Sequence, residues 1–137
     1  MHFEFDIEGG NFSKSGAASS EVKKILNQLN VDYKLIKRVV VSLYEAEVNV
    51  AAHADKGKIN VEISPEEIVM ILEDEGPGIP DINKAMEAGF TTASQKVREM
   101  GFGAGMGLPN INKNADSLNI TSTVGVGTCV EIIVKLK

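Results

Sequence analysis

Glu45, Asn49 and His53 recur at every fourth position of one polar-apolar stretch, and in a helix that interval places them on a single face. Asn49 offers a neutral oxygen of the kind that completes a Mg²⁺ shell beside phosphate and water. Glu45, one turn earlier, is a carboxylate that can accept a proton from an attacking hydroxyl or water. The same spacing also fits an ordinary solvated helix face.

Two glycine-bearing segments follow. Asp74-Glu-Gly76-Pro-Gly78-Ile79 comes directly after an apolar run; its glycines allow backbone to approach a ligand and Pro77 stiffens the turn between them. A carboxylate at that place can accept a hydrogen bond from an exocyclic amine such as that of adenine, although a plain strand-to-helix turn with wet acidic residues would look alike. Gly101, Gly103, Gly105 and Gly107 alternate with Phe102, Ala104 and Met106. Successive backbone N–H groups ending at a helix start favour phosphate, and a flexible hinge is the competing reading. The run is not a Walker A sequence and contains no Gly-x-Gly-x-x-Gly. Thr91, Thr92, Lys96 and Arg98 between the two segments can touch phosphate or stay solvated. Thr128 can reach the Asp74 region from a neighbouring strand. His53 lacks a Cys or a second suitably placed His, so a metal site of protein ligands alone is not expected.

The elements that must carry these residues are legible from period. Phe3, Phe5 and Ile7 alternate with acids, as in a half-buried strand, and Gly9-Gly10 ends it. A helix capped by Ser19 or Ser20 runs to about Leu29 and buries Val22, Ile25, Leu26 and Leu29. Asp32 caps a longer helix to about Ala54, with a stripe of Ile36, Val39, Val40, Leu43, Ala46, Val50 and Ala54. Ile59, Val61 and Ile63 alternate; after Ser64-Pro65-Glu66 the unbroken run Ile68–Leu72 suggests an interior strand covered on both faces. A short helix is expected from Asp81 to about Ala88, a mobile loop from Gly89 to Gly107, and a helix from Leu108 or Pro109. Strands Leu118–Val124 and Thr128–Leu136 close the chain. This order suggests an α/β (α+β) two-layer sandwich, with helices on one face of a mixed, largely antiparallel sheet, as a single domain over 1–137.

Composition sets bounds. The chain has 137 residues, 43% hydrophobic, with a net charge of -5. That charge argues against non-specific binding to nucleic acid or anionic lipid. Cys129 permits no internal disulfide and reads as a buried thiol. No signal peptide or membrane-length apolar run is apparent, so a cytoplasmic location is expected.

In this order, the motifs resemble the GHKL superfamily of ATP-binding domains, whose fold is the Bergerat type. Glu45-Ala-Glu-Val-Asn49 is similar to its N box, Asp74 to Gly78 to its first glycine box, Gly101 to Gly107 to its second, and Gly127-Thr128 to its last motif. The resemblance implies Mg-ATP under a lid, with Asp74 on the adenine amine, Thr128 supporting it, and Asn49 on Mg²⁺. It places Gly76, Gly78, Ile79, Thr91, Thr92, Gly101, Gly103, Gly105, Met106, Gly107 and Leu108 around the nucleotide. Within the superfamily, Asp74 to Asp81, Gly89-Phe-Thr-Thr92 and Gly103 to Pro109 are most similar to the small bacterial anti-sigma factors and switch kinases. That likeness implies phosphorylation of a serine or threonine on a partner, a sigma factor or an anti-sigma-antagonist-like protein, with Glu45 as general base; Thr92 to Phe102 makes a longer lid than those kinases have. An ATP-gated binding module without transfer, and a separate ATP-binding domain acting with a histidine kinase, are alternatives. The Phe3–Ile7 strand could pair across a homodimer or be an ordinary edge.

Overall fold

The computed structural model describes residues 1–11, 14–86 and 107–137. In order these form β1 (His2–Glu8), α1 (Ala17–Gln28), α2 (Tyr33–His53), β2 (Lys56–Ile63), β3 (Glu67–Glu75), α3 (Ile82–Ala85), α4 (Gly107–Asn114), β4 (Ser117–Thr123) and β5 (Gly127–Lys135). The strands make one sheet in the order β1-β2-β3-β5-β4. Every pairing is antiparallel, which sharpens the expected mixed sheet.

Register decides which side chains meet the helices. Phe5 pairs with Ile59, Ile59 with Leu72, Leu72 with Val130, and Val130 with Ile120. Directly paired residues share a face, so an apolar row crosses the whole sheet. A parallel row joins Phe3, Val61, Met70, Ile132 and Leu118. Val22 and Leu26 of α1, Val39 and Leu43 of α2 and Ile111 of α4 belong with these rows to one core and are 0% exposed. Val69 and Ile71 point the other way and are only half-buried. β3 is thus central, as expected, but it is not covered on both faces: among the described residues the helices lie on one side only.

Asp32 caps α2 as expected, its carboxylate accepting the Lys34 N–H at 2.8 Å. The start of α1 differs. Its N-cap is Gly16, with a positive φ, and neither Ser19 nor Ser20 fills that place. The cap comes from another helix: buried Glu47 of α2 accepts the N–H groups of Gly16 at 2.8 Å and Ser19 at 2.7 Å. Helix N-termini carry unpaired N–H groups, and one carboxylate here meets two of them. At the other end Leu29 lies outside α1 and is 44% exposed, contrary to its expected burial. β2 begins earlier than expected, at Lys56, and α4 begins at Gly107, one residue before Leu108. α3 is described from Ile82 to Ala85; the rest of the helix expected to Ala88 lies outside the described residues.

Arg38 fixes α4 against α2. Its Nε donates to the carbonyl of Asn114 at 2.8 Å, and its guanidinium lies 3.1 Å from Asp116. Cations at a helix C-terminus are favourable because the last carbonyls carry negative partial charge. Asp116 also accepts the Lys135 N–H; that bond and Arg38 hold its carboxyl below the usual range. Glu45 meets α4 at its other end, so the two helices run in opposite directions.

Candidate functional site

The row of the sheet that follows Ile59, Leu72 and Val130 on the helix side changes from apolar to polar. Gly57 pairs with Asp74, Thr128 pairs with Ser122, and the Thr128 N–H joins the two pairs by donating to Asp74 Oδ1 at 3.0 Å. Ser122 Oγ lies 2.9 Å from Thr128 Oγ1, donates to the Gly127 carbonyl at 3.2 Å and accepts the Ile79 N–H at 2.7 Å. Asp74 is half-buried, and burial pushes its carboxyl above the ordinary value against the lowering effect of the Thr128 hydrogen bond. Oδ2 takes no hydrogen bond from the described residues. The strand therefore presents a fixed acceptor at the edge of an apolar core, which suits the amine edge of a flat heterocycle.

The loop after β3 is knitted to the β4–β5 turn. Gly76 N donates to Val126 O at 3.1 Å, and Gly125 N to Pro77 O at 2.9 Å. A Cβ on Gly76 would stand 2.9 Å from Ala54 Cα; one on Gly78, where φ is +77°, would stand 2.6 Å from Thr123 O. Packing alone therefore demands glycine at both positions. Ile79 packs against the core. An open depression of about 290 Å³ at these strand ends is lined by Asp74, Ser122, Val126, Gly127 and Thr128, together with Glu73, Thr121 and Cys129 of the row that faces away from the helices. Cys129 is half-buried, more open than expected; burial and the charge of Glu73 raise its thiol.

The second half of α2 overhangs this end of the sheet. A Cβ on Gly57 would lie 2.8 Å from Val50 Cγ1, and Gly76 abuts Ala54. Asn49, between Glu45 and His53, is half-buried on the same stretch of helix. Burial holds the His53 imidazole below its ordinary value, which favours the neutral ring. One turn before Asn49, Glu45 meets the start of α4: Oε1 is 3.5 Å from Asn110 Nδ2, and a Cβ on Gly107 would stand 3.6 Å from Oε2. The tertiary structure thus brings Gly107 to Glu45 and Gly76 to Ala54 on the second half of α2, joins Asp74 to Thr128, and sets Gly78 against Thr123 and Val124 of the β4–β5 turn. Leu108 contributes its side chain to the core, at 6% exposed. Thr91, Thr92, Lys96, Arg98, Gly101, Gly103, Gly105 and Met106 lie outside the described residues.

Sequence reading missed Ser122, Glu47 and Asn110, and named Gly127 only as part of the last motif. Ser122 could have been found from the tight Gly125-Val-Gly127 turn, which sets it opposite Thr128. Gly127 is required because a Cβ there would strike the carbonyl of Asp74. Glu47 and Asn110 carry no signal in their own segments, because each acts across to another helix.

Residues 31–137 match the model of the histidine kinase-, DNA gyrase B-, and HSP90-like ATPase family. The chain belongs to this ATPase family. The match begins just before α2 and takes in every element that carries the site, leaving β1 and α1 outside it. The chain is 35% identical over 100 residues to the serine/threonine-protein kinase RsbT of Bacillus subtilis (strain 168), covering 70% of this chain and 69% of that one. It is 33% identical over 120 residues to the anti-sigma F factor of Thermoanaerobacter sp. (strain X514), covering 84% of this chain and 80% of the relative. It is also 28% identical over 122 residues to the sensor protein kinase GraS of Staphylococcus aureus (strain MRSA252), of which it covers 34%. These relatives fit a regulatory kinase, and the family implies use of ATP. No described helix is long and apolar enough to cross a membrane.

Proposed function

We propose that this chain binds Mg-ATP between the second half of α2 and the Asp74–Ile79 loop and transfers its terminal phosphoryl group to a serine or threonine of a regulatory protein partner. One observation carries the binding claim: Asp74 is half-buried in a polar row at the edge of the core, with Oδ1 held by Thr128 and Oδ2 open to a donor. Adenine supplies such a donor in its exocyclic amine, on a flat apolar ring. Gly76, Gly78 and Ile79 shape the wall beside it, and Thr91, Thr92, the glycines from Gly101 to Gly107, Met106 and the backbone of Leu108 are assigned to the phosphate side.

Asn49 is the protein's ligand to Mg²⁺. Among the described residues no group of three or more His, Cys, Asp and Glu side chains could hold a metal; Asn49 would hold the ion together with the phosphates of ATP and water. That is the usual habit of Mg²⁺, which keeps several waters and binds substrate phosphates; when bound, the ion neutralises phosphate charge. Glu45 lies one turn from Asn49 and acts as general base. The partner's hydroxyl oxygen forms the new P–O bond, its proton passes to Glu45, and the bond to the leaving ADP oxygen breaks. The chain is assigned to the cytoplasm, with a sigma factor or an anti-sigma-antagonist-like protein as partner.

The test is labelling by [γ-³²P]ATP of partners captured with the full chain, followed by identification of phosphoserine or phosphothreonine. Asn49→Ala should abolish Mg-dependent ATP binding, and Glu45→Ala should keep binding while losing transfer by about 10²–10⁴-fold. Unchanged calorimetric affinity in Asn49→Ala would remove the metal assignment. Wild-type labelling by Glu45→Ala would remove the base.

A further inference from the structure

Glu45 is a three-torsion side chain on a half-buried helix surface, and a base must offer a chosen oxygen to the proton it takes. One group of α4 reaches it, and another leaves room beside it. Asn110 Nδ2 reaches Oε1 at 3.5 Å, and Gly107 presents only backbone toward Oε2, where a Cβ would stand 3.6 Å away. α4 itself is held from outside at two places and braced within by a third contact. Leu108 and Ile111 are buried in the core, Arg38 binds the carbonyl of Asn114, and Asn114 Nδ2 donates to the Asn110 carbonyl at 2.8 Å. The backbone that carries Asn110 is therefore anchored from both directions.

We propose that Asn110 is a positioning residue for Glu45: its side-chain amide holds Oε1, so that Oε2, over the start of α4 at Gly107, is the oxygen that accepts the substrate proton. An amide suits this task because it donates a hydrogen bond without titrating. A carboxylate in its place would compete with Glu45 for protons, since two carboxyl groups in one site resist joint ionisation. This inference rests on the reading of Glu45 as base.

Two measurements test it, both on the full chain. In ¹H–¹⁵N spectra, the side-chain amide resonances of Asn110 should move when Glu45→Ala is introduced; resonances that stay in place overturn the contact. In single-turnover conversion of [γ-³²P]ATP with Mg²⁺, with water as acceptor, Asn110→Ala should slow the step about tenfold to hundredfold and leave ATP affinity unchanged. In the Glu45→Ala background the same change should have no further effect, because coupled residues are not additive. Asn110→Asp should shift the acid limb of the rate profile to higher pH, a change that mere loss of packing does not produce. If Glu45→Ala is slow while Asn110→Ala turns over at the wild-type rate with an unshifted Asn110→Asp profile, the positioning role is wrong and the base stands. If Glu45→Ala is itself unaffected, the base reading fails first.

Discussion

The main-chain N–H of Thr128 donates to Asp74 Oδ1 at 3.0 Å from the neighbouring strand β5. The bond spans 54 positions of sequence and fixes one carboxylate oxygen, while the other takes no hydrogen bond from the described residues. It also holds a partly desolvated charge that the fold would otherwise avoid.

Asp74→Asn separates these two effects. The amide oxygen can still accept from Thr128, but the remaining group becomes a donor facing an amine. ATP affinity should fall roughly 10- to 100-fold, the value of one hydrogen bond to a charged group. Burial raises the Asp74 carboxyl above its unfolded value, so its ionised form costs stability that is lost as pH rises through the folded value. The neutral variant should therefore be no less stable than wild type at pH 7. Calorimetric titration with ATP and thermal denaturation check the two halves.

Ser122→Ala removes the acceptor of the Ile79 N–H and the partner of Thr128. An orphaned part-buried donor costs about 1–3 kcal/mol. Urea denaturation should show that loss, and ATP should bind more weakly because the Gly76–Ile79 wall is loosened. A variant of unchanged midpoint and affinity would show that the loop is held without Ser122.

Gly78→Ala should destabilise by about 1–3 kcal/mol, an overpacking cost. The residue has φ of +77°, and its Cβ would meet the Thr123 carbonyl at 2.6 Å. Denaturation midpoints at constant m-value provide the measurement.

Glu47 gives a pH signature. Burial pushes its carboxyl above the ordinary value, outweighing the hydrogen bonds from Gly16 and Ser19. A raised folded value means that the protonated form is favoured by folding. The associated stability is present below about pH 4.5, the unfolded value, and is lost as pH rises through the folded value. Relative to Glu47→Gln, wild type should lose stability across that window and then level off. Parallel denaturation series at several pH values would show it; a difference that rises with pH would contradict the assignment.

Period and punctuation alone determined much of this protein. The α2 stripe from Ile36 to Val50, the Asp32 cap, the alternation in β1 and β2 and the β4–β5 turn all express local geometry, which repeats within a few residues. The motif order also carried the family: the segments of Glu45, Asn49, Asp74 and Thr128 are each ordinary alone, and their succession along the chain is what is distinctive. Other features were decided only by tertiary structure. Whether Val69 and Ile71 face a second layer depends on what packs across the sheet, and an apolar run cannot express that. The cap of α1 comes from Glu47, 28 positions away from Ser19, so neither helix shows it alone. Asn110 meets Glu45 across 65 positions. Hydrogen bonds and desolvation act through space, and sequence distance carries no trace of them until the chain has folded.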